Sequence, residues 1–151
     1  MINETPEELQ KLMGLMDAIH NVRMSVKTHL QNKIREYNYN ITFEMFQVLA
    51  VLWRQDNINQ QEIADRVQKN KASLTPLIDN LSKRNLVVRN EDPVDRRNKI
   101  ISLTREGFEY REKLQPMIHE IYESFKIDIS ITELENVTEM LRKLNQNIAN
   151  I

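Results

Sequence analysis

The sequence predicts a mainly α-helical chain carrying one small β-hairpin, and three observations lead there. Apolar residues recur at three- and four-residue steps over most of the 151 residues, the period of a helix with one buried face. Only between residues 86 and 103 does the pattern change to short β-branched runs. Glycine and proline number 2 and 4, so few turns are expected to need positive φ, which favours long helices over a sheet-dominated fold.

The elements follow in order. Leu9, Leu12, Met16, Ile19, Val22, Val26 and Leu30 form one stripe on a first helix, which the polar patch 36–40 ends. Thr42 reads as the N-cap of a second, with Glu44 in the first turn where the helix dipole favours negative charge. Phe46, Leu49, Ala50 and Trp53 are its expected buried face. Residues 57–59 are too few for an independent strand but suit a sheet edge. Residues 60–67 make a short helix with Ile63, Ala64 and Val67 inward. Asn70 caps a fourth helix on which Leu74, Leu77, Ile78 and Leu81 keep the helical period, and Asn85 stands where it stops, because Asn tolerates the left-handed conformation. Strands at 86–89 and 99–103 flank a polar, charged loop and make the hairpin. Thr104 caps a fifth helix, lined by Phe108, Leu114, Met117, Ile118, Ile121, Tyr122 and Phe125, with a kink expected at Pro116. After a break near 129–132, Val137, Leu141, Leu144, Ile148 and Ile151 stripe the last helix. The middle of the chain has its own core, so the apolar stripes at both ends need a partner: each other, a second subunit, or both.

Charge is unevenly placed. Residues 66–105 hold ten basic and four acidic side chains, while the chain as a whole carries −1. A basic window in an acidic chain is the footprint of a region that meets phosphate, although taken alone it describes many ordinary solvated surfaces.

Order and spacing decide the matter. A short helix, a tight turn and a second helix with small polar residues at its start form a helix-turn-helix. A helix entering the major groove needs small or hydrogen-bonding residues at its leading end. Here these are Lys71, Ala72, Ser73, Thr75 and Pro76. Lys71 suits a guanine edge or a phosphate, Ser73 and Thr75 donate or accept, and Pro76 with the Thr75 methyl suits a thymine methyl. Lys83 and Arg84 at the far end suit phosphate. In the hairpin, Arg96 and Arg97 sit near the tip, with Lys99 beside it. Arginine there favours the negative potential of a narrow minor groove. Asp95 is placed to pin one guanidinium by a charge-assisted pair.

Over residues 41–114 the chain resembles the multiple-antibiotic-resistance regulator (MarR) family. The matching residues include Thr42–Phe43, Phe46–Leu49–Leu52, Glu62–Ile63–Ala64, Leu74–Thr75, Leu77–Ile78, Asn80–Leu81, Leu86–Val87 and Arg89. The most specific are Asp92–Pro93, Asp95 and Arg97, followed by Leu103–Thr104 and Gly107. The resemblance implies a mainly α fold with a small β-hairpin wing. A winged helix-turn-helix lobe would span 42–104, and a helical dimerisation lobe would come from 5–35 and 105–151. It implies an obligate homodimer on double-stranded, pseudo-palindromic DNA, with a recognition helix at 70–84 and a wing at 90–98. It also implies that Asp95 holds the wing while Arg97 reaches the minor groove, and that a small lipophilic effector lowers DNA affinity, as in a ligand-responsive repressor. Two departures stand out. Asn85 replaces the family's usual glycine. Thr75–Pro76 resembles the subgroup of organic hydroperoxide sensors, but this chain has no cysteine, so thiol chemistry is not its switch.

Met13, Met16, Tyr37, Tyr39, Phe43 and Trp53 are the candidates for an effector crevice, although ordinary core and dimer packing accounts better for any one of them. His20, His29 and His119 lack metal-site spacing, and no cofactor is expected. No phosphate loop, nucleophile elbow or catalytic acid pair occurs, so an enzyme is not expected. The polar, acidic N-terminus has no secretory pattern, and a cytoplasmic protein without membrane contact is expected. The alternative function is a winged-helix protein-interaction module without DNA binding, against which the basic hairpin tip argues.

Overall fold

The computed structural model describes residues 5–95 and 98–151. Its elements are α1 (Pro6–Glu36), α2 (Phe43–Arg54), β1 (Ile58–Asn59), α3 (Gln60–Arg66), α4 (Lys71–Lys83), β2 (Val87–Glu91), β3 (Lys99–Leu103), α5 (Arg105–Phe125) and α6 (Ile131–Ala149). The chain divides into two units, Met1–Leu114 and Gln115–Ile151. The mainly helical class with a small antiparallel sheet is as expected.

In the first unit, α1 opens with a capping box. The Thr5 hydroxyl accepts from the Glu8 amide at 3.3 Å and the Glu8 carboxylate accepts from the Thr5 amide at 2.9 Å. The Thr5 amide, and the Thr5 hydroxyl at 2.8 Å, both donate to the Glu8 carboxylate and hold its carboxyl below its ordinary range. Only Leu30 and Ile34 of α1 are buried. Farther toward its start, Leu9, Leu12, Met13 and Met16 are 47–61% exposed.

Glycine scarcity misleads about the turns. Asn38, Asn57, Gln68, Asn85 and Asp128 have positive φ, and neither glycine does. Three of these residues close helices in the same way. After α4, the Asn85 amide donates to the Ser82 carbonyl and the Leu86 amide to Leu81, a Schellman closure with Asn in the left-handed position. Gln68 does the same after α3, donating to Asp65 while the Lys69 amide donates to Ala64, and Asn38 does so after α1. Polar side chains that tolerate the left-handed region have taken the role that glycine usually fills. At Asn85, with φ of 58°, replacement by Gly is expected to leave thermal stability unchanged or raise it. Replacement by Val is expected to cost about 1–2 kcal/mol in chemical denaturation. Equal stabilities for the two variants would refute the strain argument.

The core of α2 also differs from expectation. Met45, Val48, Leu49, Val51 and Leu52 are buried, whereas Phe46, Ala50 and Trp53 are half-buried. Nearly every position from 45 to 53 is apolar, so periodicity does not choose a face. The indole N–H of Trp53 needs an acceptor and finds the Gly107 carbonyl at 2.9 Å, which keeps the ring at the rim with Phe46 edge-on at 6.2 Å.

The helix-turn-helix itself forms as its caps dictate. Asn59 accepts from the Glu62 amide and Asn70 from the Ser73 amide, both at 2.8 Å. Ile63, Ala64, Leu74, Ile78 and Leu81 are fully enclosed. The sheet is antiparallel in the order β1-β3-β2, with Ile58 opposite Ile101, Val87 opposite Leu103 and Glu91 opposite Lys99. The short segment around Ile58 therefore does join a sheet edge. β2 begins one residue later than predicted and runs two residues farther. The ladder to Lys99 and the Glu91–Lys99 ion pair at 3.1 Å carry it on, so the connecting segment is shorter than the 90–98 expected.

In the second unit, the end of α5 is followed by Ser130, which caps α6 in a capping box with Glu133. No residue of α6 is buried, and Val137, Met140, Leu141 and Ile148 lie exposed along it. No described helix is long and apolar enough to cross a membrane.

Candidate nucleic-acid interface

The helix α4 is anchored by Leu74, Ile78 and Leu81 and presents its other side to solvent. Lys71, Ala72, Ser73, Pro76, Lys83 and Arg84 are exposed. The helical period sets Ala72, Pro76 and Lys83 opposite the anchors. Pro76 is accommodated inside the helix span.

The start of α4 is electrostatically unusual. Each of the other five described helices carries a glutamate in its first turn, which complements the positive end of the helix dipole. α4 carries none and begins with Lys71. That arrangement sacrifices helix stability and leaves an end suited to an external anion.

Thr75 differs from expectation. It is half-buried, its hydroxyl donates to the Lys71 carbonyl at 3.0 Å, and it accepts from the Gln60 side-chain amide at 2.9 Å. It has no hydrogen left to donate to a base. Arg84, the C-cap of α4, stands at the opposite end of the helix, about 20 Å along at 1.5 Å per residue. It acts on the Tyr110 phenol, which burial and Tyr39 push above its ordinary range and which Arg84 and the Asn40 backbone N–H partly pull back.

The wing is tied to α4 by an ion pair that no local sequence signal announces. Arg89 of β2 meets Asp79 of α4 at 2.9 Å. Lys99, expected at DNA, pairs with Glu91 across the strands. Asp92 organises the connecting segment, accepting from the amides of Val94 at 2.8 Å and Asp95 at 3.4 Å. Asp95 is half-buried, and its carbonyl accepts from the Asn98 amide at 2.9 Å. Arg96 and Arg97 lie outside the described residues.

At the base of the lobe, the Asp56 carboxylate accepts from the Leu103 amide at 2.8 Å and the Asn57 side chain from the Ser102 hydroxyl at 2.7 Å. These bonds too are silent in the sequence, because the partners are more than forty residues apart.

The six effector candidates do not gather in one place. Met13 and Met16 lie exposed on α1. Tyr37 and Tyr39 stack at 5.5 Å, and the Tyr39 hydroxyl donates to the Lys113 carbonyl at 2.8 Å. Trp53 is engaged with Gly107. Phe43 alone lines a cleft, of about 580 Å³, together with Arg23, Met24, Val26, Lys27 and Val67 among others. Lys27 lies over the Phe43 ring at 5.6 Å. Arg23 donates to the Gln68 side chain at 3.3 Å, joining α1 to the turn of the helix-turn-helix. Among the described residues no three His, Asp or Glu side chains gather as a metal site.

Comparison with known proteins agrees with this geometry. A sequence profile described as the MarR family matches residues 41–99. The chain is 29% identical over 119 residues to the HTH-type transcriptional regulator SarZ of Staphylococcus haemolyticus, covering 76% of this chain and 80% of SarZ. It is 31% identical over 111 residues to the uncharacterised HTH-type transcriptional regulator YkoM of Bacillus subtilis, covering 74% and 71%. The fold matches the crystal structure of S. aureus MepR in DNA-binding conformation with a TM-score of 0.78, at 24% identity, over 89% of this chain and 98% of MepR.

Proposed function

The chain belongs to the MarR family of DNA-binding, winged helix-turn-helix transcriptional regulators, and on that footing we propose that it is a homodimeric, ligand-responsive repressor. Its lobes are 42–104 for DNA and 5–35 with 105–151 for the dimer. Each protomer lays the recognition helix 70–84 in a major groove, and the wing 90–98 meets the adjacent minor groove. Lys71, Ala72, Ser73 and Pro76 approach base edges, with Thr75 contributing an acceptor and a methyl. Lys83 and Arg84 approach phosphate, while Arg96, Arg97 and Lys99 meet the minor-groove edge with Asp95 supporting the wing.

The observation that carries this reading is the exposed, acid-free start of α4, where every other described helix holds a glutamate in its first turn. A protein-interaction module has no need of it. The apolar faces left open on α1 and on α6 support a second copy as the partner that covers each. The cleft beside Phe43, apolar at Met24, Val26 and Val67 and cationic at Arg23 and Lys27, supports a small lipophilic effector. An occupant competing for Arg23 would release its bond to Gln68 and loosen the turn that positions α4.

The test is selection of bound duplexes from a random pool by the full-length chain, repeated with lipophilic ligands. An enriched inverted repeat with half-sites about 34 Å apart, one helical turn, is expected, and no enriched repeat would overturn the reading. Arg97→Ala should weaken binding to all sequences alike. It should also reduce the slope of log K against log salt by about 0.9 for each phosphate that Arg97 neutralises. An unchanged slope would remove Arg97 from the interface.

A further inference from the structure

Gln60 is the first residue of α3 and only 6% exposed, one of two buried polar side chains among the described residues. A buried amide requires partners, and Gln60 finds one on the neighbouring helix. Its Nε2 donates to the Thr75 hydroxyl at 2.9 Å, and that hydroxyl donates to the Lys71 carbonyl at 3.0 Å. A threonine hydroxyl has one hydrogen and two lone pairs. Here the hydrogen and one lone pair are consumed inside the protein. Turning the amide by half a rotation changes nothing essential, because the hydroxyl would then donate to Oε1.

We propose that Gln60 is a specificity-determining positioning residue: it locks Thr75 so that this side chain offers the DNA an acceptor and a methyl group but no donor. Placement of α4 in the major groove, as proposed for this family member, is the premise. In that groove guanine presents only acceptors, adenine and cytosine present an amine, and thymine presents a methyl. A free threonine hydroxyl serves either a donor or an acceptor and discriminates little. The locked one excludes guanine at one position of each half-site and favours thymine, adenine or cytosine there. Gln60 never touches the base. It acts by donating to the Thr75 hydroxyl, which fixes the rotor with its one hydrogen on the Lys71 carbonyl and away from guanine.

The experiment compares base preferences of the full-length wild type, Gln60→Met and Thr75→Ser, selected from a random duplex pool, with melting temperature and salt slope measured alongside. Gln60→Met keeps the side-chain volume but removes the donor that fixes the Thr75 rotor, so the hydroxyl can turn its hydrogen from the Lys71 carbonyl toward a base. Guanine should rise at a single half-site position by on the order of fivefold, near the lower end of what a base contact discriminates, while the salt slope stays put. Thr75→Ser keeps the hydroxyl and its Gln60 partner but loses the methyl, so guanine exclusion persists while thymine preference falls. A Gln60→Met profile that superimposes on the wild type overturns the proposal and leaves Gln60 a packing residue. Should Gln60→Met fail to fold, guanine admitted by Thr75→Ser overturns it instead. If the wild type itself enriches no motif, the placement of α4 fails rather than the role of Gln60.

Discussion

Gly107→Ala is expected to destabilise the first unit at or beyond the upper end of about 1–3 kcal/mol, the usual range for overpacking. A Cβ at Gly107 would stand 2.1 Å from the Leu86 carbonyl oxygen, with Leu103 Cδ2 and the Leu86 carbonyl carbon at 3.1 Å. The nearest obstacle is backbone, and that backbone is held. The Leu86 carbonyl accepts from the Thr104 amide at 3.1 Å, and the Leu86 amide completes the closure of α4. The Gly107 amide donates to the Thr104 hydroxyl at 2.9 Å and its carbonyl accepts from Trp53. Relieving the clash therefore disturbs α2, the end of α4 and the start of α5 together. Gly14→Ala is the control. Gly14 is also helical, but a Cβ there meets no atom of the chain within 4 Å, so alanine's helix propensity should raise stability by about 0.5–1 kcal/mol. Thermal and urea unfolding of the two variants should shift in opposite directions. A Gly107→Ala protein within about 0.5 kcal/mol of the wild type, the scale of ordinary surface changes, would contradict the close approach.

Ala72→Glu should separate stability from function. Ala72 is exposed in the first turn of α4, which holds no acid. A glutamate there complements the helix dipole and should raise stability by about 0.3–1 kcal/mol. The same carboxylate faces the phosphate-rich partner, and like charges brought together at an interface cost several kcal/mol, so affinity for the selected duplex should fall by about 100-fold or more. Ala72→Gln has nearly the same shape without the charge and should lose much less. Melting curves and fluorescence anisotropy with a labelled duplex read the two effects separately. Undiminished binding by Ala72→Glu would move the DNA away from the start of α4.

Much of the first unit is legible in the sequence. Thr42 and Asn70 cap helices as their residue types require, and the inward set of α3 holds. Asn85 takes the left-handed position at the end of α4. These signals are local: a cap reaches three residues along the chain, and a helical stripe repeats within a turn. The errors fall where local signals run out. α2 is apolar on nearly every side, so its buried face depends on the acceptor that Trp53 finds 54 residues away. Glycine counting misjudges the turns, because Asn and Gln adopt the left-handed conformation when two hydrogen bonds of a helix closure hold them there.

The candidate interface divides in the same way. Sequence alone determined that α4 starts small, polar and basic, that a charged hairpin follows it, and that no cysteine is available for thiol sensing. Those are properties of composition and order, which folding does not alter. The tertiary structure decided what each side chain has left to offer a partner. The Lys71 carbonyl takes the hydrogen of the Thr75 hydroxyl and Gln60 donates to its oxygen, Asp79 engages Arg89, and Glu91 engages Lys99. A hydroxyl or a charge in a sequence is only a capacity. Whether it is directed at another molecule or consumed within the fold depends on which distant residues packing brings within about 3 Å of it.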